Sequence, residues 1–249
     1  MAGERKEAGD FRGACASNKP IFMDTKDSNA RASARRLQKW GGLAAFLLAV
    51  TFIAPRLIYL TGDLRSPLGQ LTYDLGDFLY GPVWAASLVT LVFALRERIS
   101  RGAPRRMSLA LLAAVLAAGA MVSVACIRSA NRHYHLIHPE LHLEAASYVL
   151  VVWTTIVAGL TGAALHFLGW ALVLVGSAGW ASGKLPRLLS LLYFVVGAVS
   201  LFAYVLPGGE ENAAALGVVA GIWQGIVLWR AEPEDTQTPE INANQLDQA

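Results

Sequence analysis

The side chains best suited to chemistry form a histidine cluster near the middle of the chain. Its four histidines fall within ten residues and are His133, His135, His138 and His142. Glu140 and Glu144 lie in the same stretch, and imidazole with carboxylate is a ligand set that suits zinc and other divalent metals. The spacing differs from the His-Glu-x-x-His pattern of metallopeptidases. We therefore expect a polar interfacial loop, with a metal-binding or pH-sensing role as the alternative.

Four further polar side chains lie inside apolar stretches or at their borders: Arg56, Asp77, His166 and Gln224. An ionisable residue in a membrane is a functional hypothesis by default, but for His166 and Gln224 we favour hydrogen bonds to neighbouring helices. For Arg56 we expect the side chain to snorkel to the surface. The alternative is an Arg56–Asp77 ion pair, which would offset the cost of about 2.5–3.5 kcal/mol for an arginine at the membrane centre. One histidine in an apolar run is too few for a haem held by two helical histidines, so no cofactor is predicted.

Small residues recur at every fourth position in three apolar stretches. The most regular set is Gly217, Gly221 and Gly225. The same spacing occurs at Gly41, Ala45 and Ala49, and at Ala110, Ala114 and Ala118. Such residues share one helix face and let a second helix approach closely. We expect this packing to occur within one bundle, and an interface between copies of the chain is the alternative.

The elements that must carry these side chains are transmembrane helices. Of the 249 residues, 55% are apolar and 16% are charged, against about 25% charged in ordinary globular domains. A helical span needs about 20 apolar residues, and the long unbroken apolar runs do not fit the alternation of barrel strands. We predict an all-α fold, a polytopic transmembrane helix bundle whose first partner is the lipid bilayer.

Hydropathy divides the chain into three parts. A basic tail, 1–39, and an acidic tail, 231–249, are predicted to be disordered and cytoplasmic, and 40–230 forms the transmembrane domain. The predicted spans are 40–60, 75–95, 107–127, 188–206 and 213–229, with the apolar stretch 145–183 in addition. Pro55 is expected to interrupt the first span, and Gly81-Pro82 to kink the second. No cleavable signal peptide is expected, and Met23 is an alternative start to Met1.

The stretch 145–183 contains no Lys, Arg, Asp or Glu and decides the number of spans. As one helix it would be about 58 Å long, nearly twice the hydrocarbon thickness of about 30 Å. It forms either two short spans or one span preceded by an interfacial or re-entrant helix near 143–158, with a break at Gly159–Gly162. Six spans place 17 of the 21 Lys and Arg residues on the cytoplasmic side, whereas seven spans place 14 there. The positive-inside rule favours six spans with both termini cytoplasmic.

Several function classes lack the residues that they need. No P-loop, nucleophile elbow or dinucleotide fingerprint occurs, so no catalytic residue is predicted. No lysine lies between Lys39 and Lys184, which excludes a retinal Schiff base inside a span. The net charge of +3 is concentrated beside the spans, which is typical of membrane topology and not of nucleic-acid binding. Cys15 and Cys126 fall on opposite sides of the predicted membrane, so we expect no disulfide between them.

A turn between two apolar stretches carries a short motif. The segment from Trp180 to Leu189 reads WASGKLPRLL, and Gly197 follows it. From Trp180 to Leu206 the chain resembles a loose group of uncharacterised bacterial six-span membrane proteins, in which a Gly-x-Leu-Pro-Arg turn joins the fourth and fifth spans on the cytoplasmic side. Gly183 is expected to end one helix and Pro186 to start the next.

These features predict a membrane protein without catalytic machinery. We expect a multi-pass protein of the bacterial cell membrane that acts by assembly with itself or with another membrane protein. A permease for a small solute or an ion is the alternative, motivated by His166, Gln224 and the re-entrant segment. A metal-binding protein that uses the histidine cluster is a further alternative.

Overall fold

The computed structural model of the protein describes residues 22–61, 66–99, 102–137, 145–206 and 208–230. All regular structure in these ranges is helical. The helices are α1 (Phe22–Thr61), α2 (Pro67–Phe78), α3 (Trp84–Ile99), α4 (Pro104–Ile137), α5 (Ala145–Ser182), α6 (Arg187–Phe202) and α7 (Gly209–Arg230). A single π-helical turn, Leu79–Val83, joins α2 directly to α3. The predicted all-α fold is confirmed.

Five helical segments are long and apolar enough to cross a membrane. They are Ala32–Leu60, Leu68–Ile99, Pro104–Tyr134, Val149–Ser182 and Gly209–Arg230. A sixth apolar helix, α6, has 16 residues and is therefore about 24 Å long. The expectation of a helical membrane protein is thus supported by both the length and the composition of the helices.

The first helix is longer and more continuous than expected. It begins at Phe22, so residues 22–39, which were predicted to be disordered, are helical; Ala, Arg, Lys and Gln in this part are good helix formers. Pro55 lies inside α1 and does not end it. An apolar environment favours continued backbone hydrogen bonding on both sides of a proline. Residues 1–21 and 231–249 lie outside the described residues.

The fourth helix also corrects a predicted boundary. We expected it to end at Arg128, but α4 continues to Ile137. His133 and His135 therefore lie on a helix and not in a loop. The reason is tertiary, since the charges that seemed to end the span are neutralised by carboxylates on α2, as shown below.

The apolar stretch 145–183 forms one helix. The predicted break at Gly159–Gly162 is wrong, because α5 runs without interruption from Ala145 to Ser182. In an apolar environment a broken helix would leave backbone groups without partners, whereas glycine keeps its helical hydrogen bonds. A continuous helix runs in one direction only, so this stretch does not form two antiparallel spans.

Two positions singled out in the sequence have special backbone structure. At Gly81-Pro82, where a kink is expected, the chain forms the π-helical turn, and a Cβ atom on Gly81 would collide with the Cβ of Ala125 on α4. At the α5–α6 turn, Gly183 has a φ of +66° and its N–H donates to the Gly179 carbonyl, with an N···O distance of 3.1 Å. This is the left-handed C-terminal cap that favours glycine.

Close helix pairs build the bundle. Helix α7 packs on α1, α6 packs on α5, and α3, α4 and α5 lie side by side. Glycines permit the tightest of these contacts: a Cβ on Gly169 would lie 2.8 Å from the Gly197 carbonyl oxygen of α6. The core between α3 and α4 is formed by large apolar side chains facing small ones, including Trp84, Leu88, Leu91, Leu95, Ala110, Ala114 and Ala117.

Candidate functional site

A group of buried charges lies at the end of the bundle opposite the α5–α6 turn. Asp77 on α2 is 2% exposed and accepts a hydrogen bond from the Tyr59 hydroxyl, with an O···O distance of 2.6 Å. Its carboxylate pairs with Arg128 Nε at 3.4 Å and with the guanidinium of Arg132. Arg128 and Arg132 are four residues apart on α4, so both point toward α2.

Asp74 completes this group, which we call the Asp77 cluster: Asp74, Asp77, Arg128 and Arg132. Arg132 Nη1 lies 3.4 Å from an oxygen of Asp74. The i, i+3 spacing of Asp74 and Asp77 places both carboxylates on the same helix face. The cluster contains two carboxylates and two guanidinium groups, so its formal charge is zero.

Aromatic rings hold the arginines in place. The guanidinium carbon of Arg128 lies 4.7 Å from the ring centroid of Tyr59, and that of Arg132 lies 5.5 Å from the centroid of Tyr73. The two tyrosine rings stack on each other with centroids 5.4 Å apart. Cation–π contacts strengthen when they are removed from water, so the rings position the guanidinium groups as well as cover them.

A cavity of about 210 Å³ lies next to the Asp77 cluster, between α1, the π-helical turn, α3, α4, α5 and α7. Its polar lining comes from Arg56, Tyr59, Tyr80, Arg128 and Glu210. Its apolar lining comes from Phe52, Pro55, Trp84, Met121, Leu165 and Ala214. The space equals the liquid volume of about seven water molecules at roughly 30 Å³ each.

Trp84 is an unusual part of this lining. The residue is completely buried, with 0% exposure, and its ring meets Phe52 edge-to-face with centroids 6.5 Å apart. Within the described part of the chain, its indole Nε1–H has no hydrogen-bond acceptor. A buried donor without an acceptor costs about 1–3 kcal/mol.

The Arg56–Asp77 ion pair, the alternative to an Arg56 side chain at the surface, does not form. Asp77 is saturated by Tyr59, Arg128 and Arg132, which approach it from α1 and α4. Arg56 instead lines the cavity together with Glu210 of α7. Both Arg56 and Glu210 are exposed, and neither forms an ion pair with another described residue. Arg56 therefore belongs to the cavity lining, whereas Asp77 pairs with the arginines of α4.

The two intramembrane polar residues have local partners. Gln224 is fully buried and its Oε1 accepts from the Tyr193 hydroxyl of α6 at 2.9 Å, which confirms the predicted interhelical hydrogen bond. For His166 the expected partner is wrong, because Nε2 lies 3.2 Å from the indole Nε1 of Trp170 on the same helix. The Tyr204 ring also contacts His166 edge-on, with centroids 6.4 Å apart.

The glycine repeat of α7 packs inside the chain. A Cβ on Gly221 would lie 2.9 Å from the Ala45 carbonyl oxygen of α1, and Gly217 and Gly225 lie equally close to Phe52 and Phe46. All three glycines are buried. The prediction of packing within the bundle is confirmed, and the alternative of an interface between copies at this face is wrong because α1 already occupies it.

The histidine cluster is only partly within the described residues. His133 is exposed, and its Nε2 lies 3.8 Å from Asp74. The side chain of His135, and His138 and His142 entirely, lie outside them. Among the described residues no group of three or more His, Cys, Asp or Glu is arranged to hold a metal ion.

Sequence reasoning missed most of this site. Arg128 and Arg132 looked like loop residues, while Trp84 and Glu210 carried no signal at all. The spacing of these residues could have predicted the site. The two aspartates are three residues apart and the two arginines are four residues apart, so each pair lies on one helix face, and the two faces have opposite charge. In comparisons with known proteins, no family model, no curated protein and no solved structure matches this chain.

Proposed function

We propose that this chain is a six-span protein of the bacterial cell membrane that acts by assembly with a partner helix, with both termini in the cytoplasm. Five long apolar helices and the shorter α6 supply the six crossings. With this topology the turn at Lys184 and the loop between α3 and α4 are cytoplasmic, and 17 of the 21 basic residues lie on that side, as the positive-inside rule requires.

The observation that supports the assembly proposal is an exposed apolar segment of α5, Val149–Val152. Four consecutive residues, Val149, Leu150, Val151 and Val152, are each between 39% and 63% exposed. Successive residues of an α-helix point about 100° apart, so four in a row cover the whole circumference. The described chain therefore leaves this apolar segment uncovered on nearly all sides.

The level of this segment in the bundle supports a protein partner over lipid alone. Arg106 Nη1 on α4 donates to the Ser177 carbonyl of α5 at 3.3 Å, which sets the register of these antiparallel helices. Counting equal numbers of residues along both helices puts Thr155 about level with Arg128, and Val151 about level with Arg132. Val149–Val152 therefore lies at the level of the Asp77 cluster, which we place at the outer border of the membrane, where the hydrocarbon layer ends.

The experiment that tests this proposal is site-directed photocrosslinking in native membranes. A photoreactive phenylalanine analogue at Val151 should give one discrete protein adduct. The same analogue at Leu116 of α4, which is exposed near mid-span, is the matched control and should react with lipid. Protein adducts absent at Val151, or equally abundant at both positions, would contradict the proposal.

A small-solute permease is the second candidate, and the cavity of about 210 Å³ beside Arg56 and Glu210 is the observation that favours it. Its original motivation is weaker, because His166 and Gln224 have structural partners and α5 contains no re-entrant break. Flux into proteoliposomes that is lost in Glu210→Gln and retained in His166→Ala would support the permease.

A further inference from the structure

The cavity next to the Asp77 cluster carries an inference that is independent of the assembly proposal. We infer that it is a binding site for a small zwitterion, a molecule that bears an ammonium group and an oxyanion a few bonds apart. The carriers of this chemistry are a free amino-acid-like solute and the head group of a zwitterionic phospholipid. Its position, volume and charges each support this assignment.

The first step of the argument is the charge balance at the cavity. Arg128 lines the cavity, but its charge is already compensated inside the neutral Asp77 cluster. The remaining charged lining residues are Arg56 and Glu210, one of each sign, and neither forms an ion pair with a described residue. A simple anion or cation would satisfy one of them and be repelled by the other, whereas a zwitterion satisfies both.

The second step is the aromatic lining. Phe52, Tyr80 and Trp84 surround the space, and aromatic faces bind ammonium groups, most strongly where water is excluded. Together with the Glu210 carboxylate they make a site for the cationic half of the ligand. Arg56 then faces the oxyanion, because a guanidinium recognises carboxylate and phosphate through paired hydrogen bonds.

The third step is the size of the cavity. The volume of about 210 Å³ limits the ligand to a small molecule or to the head group of a lipid, since drug-sized pockets begin at about 300 Å³.

The test uses the purified full chain in an uncharged detergent and three probes that share a four-carbon chain: 4-aminobutyrate, butyrate and butylammonium. Titration calorimetry should show that the zwitterion binds at least about tenfold more tightly than either single-charge probe, because a tenfold difference requires only about 1.4 kcal/mol and the zwitterion forms one additional charge-assisted contact. Glu210→Gln should remove the advantage over butyrate, and Arg56→Gln the advantage over butylammonium. Glu211→Gln, a neighbouring exposed acid that does not line the cavity, should change nothing.

A parallel arm distinguishes the two sources. The protein is placed in nanodiscs of phosphatidylethanolamine or of phosphatidylglycerol, and its thermal midpoint is compared with that of Glu210→Gln. A head-group site gives a higher midpoint in phosphatidylethanolamine that Glu210→Gln abolishes. If the free zwitterion does not bind and the midpoint is the same in both lipids, the inference is overturned. Ligand binding that is unchanged in both Arg56→Gln and Glu210→Gln would also overturn the inference. The absence of a protein adduct at Val151 would contradict the assembly proposal but not this inference.

Discussion

At the residue scale, Asp77 holds the charged end of the bundle together. Its buried carboxylate joins Tyr59 of α1 to two arginines of α4. A buried ion pair contributes little compared with a well-packed apolar core, but removing one partner leaves the other charge buried and uncompensated. We therefore expect the cluster to fix the position of α2 against α4. Within the cluster, substitution of Asp77 should reduce the stability of the protein most.

Asp77→Asn should destabilise the protein by about 3 kcal/mol, the lower end of the range for breaking a buried ion pair. Arg132, whose side chain is 13% exposed, would lose its buried carboxylate partner, whereas Arg128 is 35% exposed and is partly solvated. Thermal unfolding in detergent, followed by helical circular dichroism, measures the loss. Asp74→Asn is the matched control and should cost clearly less, since its side chain is 35% exposed. Equal losses in the two variants would show that the cluster does not depend on the buried carboxylate.

At the scale of the helices, glycine spacing sets the distance between elements. Helix α7 approaches α1 so closely that Gly221 faces a backbone carbonyl and not a side chain. The repeat acts as a groove for the small residues of α1, including Ala45 and Ala49. This contact explains why a pattern often associated with oligomers serves the interior of one chain.

Gly221→Leu should prevent α7 from docking, because a leucine there meets the Ala45 carbonyl and no flexible group can move aside. We expect a loss of at least about 3 kcal/mol, above the common range for overpacking, measured as the yield and melting of the detergent-solubilised protein. Gly119→Leu is the control, since nothing lies within 4 Å of its Cβ position. If Gly221→Leu melts like Gly119→Leu and changes only the oligomeric state, α1 does not occupy this face.

At the scale of the whole molecule, the two ends of the bundle differ in kind. The end with the α5–α6 turn is rich in arginine and has tight turns between its helices. The opposite end contains the neutral Asp77 cluster, the cavity and the exposed segment Val149–Val152 of α5. Basic residues retain one end of a membrane protein in the cytoplasm. In the proposed topology, the contact with a partner and the ligand site therefore lie on the same, outer side.

Topology reporters should place Glu144 outside the cytoplasm and both Lys184 and Arg230 inside it. The physical reason is that α5 is one helix and crosses once. Paired alkaline phosphatase and fluorescent-protein fusions after each residue make the measurement, and each reporter is the control for the other. Phosphatase activity after all three residues would require a seventh crossing, and phosphatase activity after Lys184 and Arg230 alone would mean the inverted orientation. Either result would refute the proposed six-span arrangement.

Much of the fold could be predicted from local sequence. The helical class, the approximate spans, the cap at Gly183, the kink at Gly81 and the hydrogen bond of Gln224 all follow from composition and spacing. The incorrect predictions concern helix boundaries and pairing partners that depend on residues far away in the sequence. Helix α4 continues past Arg128 because carboxylates from α2 neutralise it, and no pattern within α4 contains that information.

The amino-acid sequence by itself determined that the chain is helical and too apolar for water, because the transfer of a 20-residue segment into hydrocarbon depends on that segment alone. The tertiary structure alone decided that Asp77 pairs with Arg128 and Arg132, that Arg56 and Glu210 share a cavity, and that the glycines of α7 face α1. Electrostatic and packing energies depend on distances between groups far apart in the chain, and these distances exist only once the helices have packed.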